Sequence, residues 1–69
     1  MKYAVVFEKL ENNYSGYVPD LPGCISTGAS LPEIESNMRD AIKLHLDGIR
    51  EDGFEPPAPT TRVAEFEIA

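Results

Sequence analysis

Apolar and polar positions change period twice along this chain. Lys2–Lys9 (KYAVVFEK) alternates, with Tyr3, Val5 and Phe7 pointing one way and Ala4, Val6 and Glu8 the other. Apolar residues on both sides predict a central strand, covered by a helix on one face and by a partner or side-chain packing on the other. Glu11-Asn12-Asn13 is a turn, and Tyr14–Val18 is the return strand. Gly16 within it marks a bulge or a close backbone approach. Pro19 has no backbone donor to continue a ladder, and Leu21-Pro22-Gly23-Cys24 fits a type II turn. Cys24–Thr27 is a brief third strand that Gly28 breaks.

From Leu31 the period lengthens to 3.6. Leu31, Ile34, Met38, Ala41, Ile42, His45 and Ile49 fall within about 100° on a helical wheel, opposite Arg39, Lys43, Asp47 and Arg50. The spacing predicts one helix over about Leu31–Asp52. Ser30 caps it, Pro32 sits in its first turn, Glu33 lies three residues after the cap, and Gly53 ends it. Glu35 and Arg39 form a favourable i,i+4 pair, and Gly48 beside the apolar stripe suggests close packing on the sheet. The proline-rich run Glu55–Thr60 is a stiff connector of at most about 19 Å. Arg62–Ile68 alternates again, with Ala64, Phe66 and Ile68 in phase as a last strand. The pattern is α+β, β-β-β-α-β. A meander followed by a right-handed crossover gives sheet order 3-2-1-4, with the last strand parallel to the first.

Sixty-nine residues form a single domain, residues 1–69, and an apolar fraction of 42% suits a globular chain rather than a disordered one. So small a domain buries only roughly 60% of its unfolded surface. One cysteine excludes an intrachain disulfide, so self-association as a homodimer or tetramer, or a partner, is the expected supplement. Without a signal peptide or an apolar run of bilayer length, a cytoplasmic location and no membrane contact are expected. The net charge of −6, from 12 acidic and 6 basic residues, opposes direct nucleic-acid binding; it either favours a basic protein partner or simply keeps a small protein soluble, and composition alone does not choose between the two.

Candidate chemistry is sparse. A two-metal nuclease needs converging carboxylates, whereas the middle of the first strand is Ala4-Val5-Val6. Cys24 and His45 could in principle form a nucleophile pair. However, the thiol opens a strand in an acidic chain and the imidazole lies in the apolar stripe, so both read as packing residues. One histidine cannot anchor a metal site here, and no cofactor is expected. Tyr3, Phe7, Tyr14, Tyr17, Phe54 and Phe66 lack the cationic groove of a base-stacking platform. The candidate partner-binding residues are the carboxylates Glu8, Asp20, Glu65 and Glu67, on or beside the sheet, with Asp20 read first as part of a structural turn that guides the chain into its next strand and second as a partner contact. The last strand, as an unpaired edge, also invites strand addition.

The ordered series Val18-Pro19-Asp20-Leu21-Pro22-Gly23-Cys24, Gly28, the capped helix, Ala41-Ile42, Leu46-Asp47-Gly48-Ile49 and Glu51-Asp52-Gly53 resembles the N-terminal domain of HicB-like antitoxins. Pro32 and Ile34 depart from the acidic residue and alanine more usual there, and both still suit a helix start. The resemblance implies a partial ribonuclease H-like arrangement. It also implies a non-catalytic module that neutralises HicA, a small basic mRNA-cleaving toxin with a double-stranded-RNA-binding-like fold. An acidic antitoxin would occlude the toxin's RNA-binding surface and catalytic histidine. Family members commonly carry a C-terminal helix-turn-helix or ribbon-helix-helix segment. With Ala69 directly after the last strand, operator binding by this chain is not expected. The alternative is a solitary oligomeric domain that binds a protein or ligand without a toxin partner.

Overall fold

The computed structural model describes residues 1–69. Three short strands, β1 (Val6–Lys9), β2 (Tyr14–Tyr17) and β3 (Ile25–Gly28), precede one long helix, α1 (Leu31–Glu51). The strands form an antiparallel meander in the order β1-β2-β3. Val6 pairs with Tyr17 and Phe7 with Gly16, while Gly16 pairs with Ser26 and Tyr17 with Ile25.

Two consecutive turns reverse the chain between β2 and β3. The Leu21 amide donates to the Val18 carbonyl at 3.0 Å, and the Cys24 amide to the Leu21 carbonyl at 3.0 Å. Each turn has proline in second position, where φ is preset, and Gly23 supplies φ +84° in the second. Leu21, at the junction, is completely buried.

The helix starts as its sequence directs. The Ser30 hydroxyl accepts from the Glu33 amide at 3.3 Å, and the Glu33 carboxylate accepts from the Ala29 amide. At the other end Gly53 adopts φ +83°. The Gly53 amide donates to the Arg50 carbonyl and the Phe54 amide to that of Ile49, which together make a Schellman closure. The amide of Asn37 reaches the Thr27 carbonyl at 2.9 Å and fastens the second turn of α1 to the end of β3.

The core is small. Val18, Leu21, Cys24, Ile34 and Met38 are its buried side chains. Tyr3, Val5, Phe7, Ala41, Ile42, Leu46 and Ile49 pack around it, half-buried. Leu46 thus joins the buried stripe of the helix, while Leu31 at its start stays 44% exposed. Gly16 is a close approach rather than a bulge: a Cβ there would lie 3.0 Å from Met38 Cε and 3.0 Å from Phe7 Cδ1. Gly48 is the opposite case. Nothing lies within 4 Å of a Cβ built on it, so the expected close packing against the sheet is absent.

The fourth strand of the order 3-2-1-4 does not form. Residues 54–69 contain no helix or strand, and β1 is an edge strand rather than a central one. Hydrogen bonds explain the difference. The Tyr3 hydroxyl, just before β1, donates to the Pro57 carbonyl at 2.5 Å. Thr60 and Thr61 are then held by Asp20, in the β2–β3 turn. The tail therefore crosses the end of the sheet from the β1 side toward the β2–β3 side, away from the free edge of β1. The molecule extends 47 Å in its longest direction, and its 13.4 Å radius of gyration exceeds the roughly 11 Å of a compact chain this long.

Candidate functional site

The sheet presents one covered face and one bare face. Side chains alternate along each strand, so Phe7, Gly16 and Ser26 face the helix. Val6, Tyr17 and Ile25 form a row across the other face, and Glu8, Ser15 and Thr27 form the row beside it. No element covers the bare face. Tyr17 is 41% exposed there and Ile25 69%. Apolar side chains in a continuous row beside polar ones are the composition of a protein-binding surface.

The helix does not cover the whole inner face either. It lies over β3 and β2 and leaves β1 overhanging. Beneath that overhang is an open groove of about 250 Å³, floored by Val5, Phe7, Met38 and Ile42, with Glu35 and Arg39 at the rim. A second hollow, about 340 Å³, separates the β1–β2 turn from the start of α1. It is lined mostly by turn residues and gathers no convergent charge.

The four candidate carboxylates occupy different positions. Glu8 is exposed on the bare face of β1. Glu65 and Glu67 are exposed in the tail. Asp20 is the one tied into the fold. One of its oxygens accepts from the Thr60 and Thr61 amides, both at 3.0 Å. The other accepts from the two threonine hydroxyls, at 3.1 and 2.7 Å. The Thr61 amide and hydroxyl, followed by the weaker Thr60 contacts, lower the carboxyl from 3.8 to about 2 by stabilising its charged form. Nothing local in the sequence announces this latch, because its halves lie forty residues apart.

Groups of three or more His, Cys, Asp or Glu side chains placed to hold a metal ion are absent. Cys24 is buried among Val18, Leu21 and Met38, and burial pushes its thiol up from 9.0, away from the reactive thiolate. His45 is half-buried on the helix. No helix is long and apolar enough to cross a membrane.

The class so defined is a small acidic βββα domain with a bare sheet face, a free strand edge and a groove beneath it. Residues 3–67 match the model of the HicB-like antitoxins of bacterial toxin–antitoxin systems, and the chain belongs to that family. An uncharacterized 14.9 kDa protein of Haemophilus phage HP1, from the rep-hol intergenic region, is 42% identical over 57 residues, covering 83% of this chain and 43% of that protein. A UPF0150 protein of Helicobacter pylori is 45% identical over 47 residues, covering 68% of this chain and 65% of that one. One from Thermoplasma acidophilum is 33% identical over 58 residues, covering 83% and 84%. The chain thus spans less than half of the phage relative and just under two thirds of the Helicobacter one. No solved structure matches it.

Proposed function

We propose that this domain is a non-catalytic antitoxin that binds and neutralises a small basic HicA-type mRNA-cleaving toxin in the cytoplasm. The family match over residues 3–67 carries the reading. The net charge of −6 supports it, because an acidic surface speeds encounter with a basic partner and competes for the cationic side chains that would grip RNA. The same charge disfavours direct binding of nucleic acid by this domain.

The contact set we propose is Glu8, Glu65 and Glu67, with Asp20 acting by positioning the tail that carries the last two. The bare row Val6, Tyr17 and Ile25 supplies apolar area beside them. Self-association as a homodimer or tetramer belongs to the same reading, since exposed Ile25, Phe66 and Ile68 are costly to leave in water on so small a domain. Sedimentation that gives a monomer mass independent of concentration would contradict it.

The test is co-purification from the native organism at low ionic strength, followed by an RNA-cleavage assay of what is recovered. A small basic ribonuclease that stops cleaving when this chain is added stoichiometrically is the expected result. Recovery of a toxin whose cleavage continues unchanged would overturn the reading. Reversing Glu8, Glu65 and Glu67 to lysine together should weaken the complex by at least about tenfold at low salt, and less as added salt screens the charges.

A further inference from the structure

Two features of this fold lack a counterpart within one chain and fit each other. The first is the free edge of β1, whose backbone groups are unpaired on one side, with the groove of Val5, Phe7, Met38 and Ile42 beneath it. The second is Arg62–Ile68, which alternates as a strand does yet pairs with nothing. Its Val63, Phe66 and Ile68 are 67%, 82% and 85% exposed. The Asp20 latch, with the Tyr3–Pro57 hydrogen bond before it, leads this segment across the sheet end away from its own β1. The same constraint leaves it free to reach another molecule.

We propose that Arg62–Ile68 of one copy adds as a fourth strand to the β1 edge of a second copy, reciprocally. Unpaired edges are templates for such addition, and a two-fold exchange satisfies both edges at once. Alternation decides the faces. Ala64, Phe66 and Ile68 turn toward the groove, where Phe66 fills the hollow beneath the overhang. Arg62, in the same phase, comes to the rim, which carries both Glu35 and Arg39. Glu65 and Glu67 turn to the bare face, beside Glu8 of the second copy. The exchange therefore assembles an acidic surface that neither copy has alone, contiguous with the row of Val6, Tyr17 and Ile25. Its use against a basic partner rests on the antitoxin reading, whereas the exchange itself does not.

The test uses the chain without any toxin. Sedimentation equilibrium measures dimer dissociation for the native protein and for Phe66→Glu. Isotope-filtered NOE spectra of an equimolar mixture of labelled and unlabelled protein then locate the contacts. The expected results are a dimer, intermolecular NOEs from the Phe66 ring to Met38 and Ile42, and a dissociation constant raised about tenfold or more by Phe66→Glu. Because Phe66 is 82% exposed in the single chain, the variant should keep the native circular dichroism spectrum. A dimer indifferent to Phe66→Glu, or Phe66 contacts found only within one molecule, overturns the exchange and leaves self-association and toxin binding standing. A monomer at all concentrations overturns both the exchange and self-association, and toxin inhibition remains separately measurable.

Discussion

Asp20 illustrates how much one side chain settles in so small a domain. Its carboxylate accepts four hydrogen bonds from Thr60 and Thr61, and its pKa falls to about 2 from an ordinary 3.8. A lowered folded-state value means that the latch contributes fully above the unfolded value and loses its contribution as pH falls from 3.8 through about 2. Thr60 and Thr61 amide shifts should therefore stay constant from neutrality to about pH 4 and move together below it. In Asp20→Asn that titration should vanish, and both amides should exchange faster with solvent at pH 7. Glycines give a second residue-scale contrast. A Cβ on Gly28 would lie 2.7 Å from the Ile34 amide nitrogen and 2.8 Å from its Cα, which are backbone atoms that cannot swing aside. Gly28→Ala should cost about 1–3 kcal/mol in urea denaturation. Gly48 has open space around it in the helix, so Gly48→Ala should gain about 0.8–1 kcal/mol in the same experiment. The sequence reading makes Gly28 the residue that breaks the third strand, whereas it is the last residue of β3, paired with Tyr14. The contact of Gly28 with Ile34, and the emptiness around Gly48, could not be read from the sequence.

At the scale of the elements, α1 is the part that local chemistry specifies most completely. Ser30, Pro32 and Glu33 open it and Gly53 closes it, so its ends lie within a residue of where the sequence puts them. Ser30→Ala should lower stability by about 1 kcal/mol, seen as an earlier thermal transition. Met38 is the side chain through which the helix meets the sheet, packed over Gly16 and among Val18, Leu21 and Cys24. Met38→Ala should cost about 2–5 kcal/mol, enough to broaden or abolish the melting transition of a domain with so few buried residues. The strands were less legible. β1 starts at Val6 rather than near Lys2, because pairing with β2 ends at Tyr17, before the Pro19 turn. Arg62–Ile68 has strand periodicity without being a strand, because periodicity specifies a face and only a neighbour can supply the ladder.

The whole molecule combines a correctly anticipated class with an unanticipated outline. The α+β class, the antiparallel meander and the single helix all follow from period and turn chemistry. Membership of the HicB-like antitoxins was likewise legible from the ordered turn, cap and helix residues that the family model spans. Sequence determined these because each depends on residues close together along the chain: a proline presetting φ, a glycine accepting positive φ, a serine reaching an amide three residues on. Tertiary structure alone decided the position of the tail, the edge status of β1, the groove beneath it and the state of Asp20. These depend on contacts between Tyr3 and Pro57, and between Asp20 and Thr60–Thr61, whose partners are forty or more residues apart. No local periodicity encodes such pairings, since their free energy comes from the closed fold that brings the two ends of the chain to one end of the sheet.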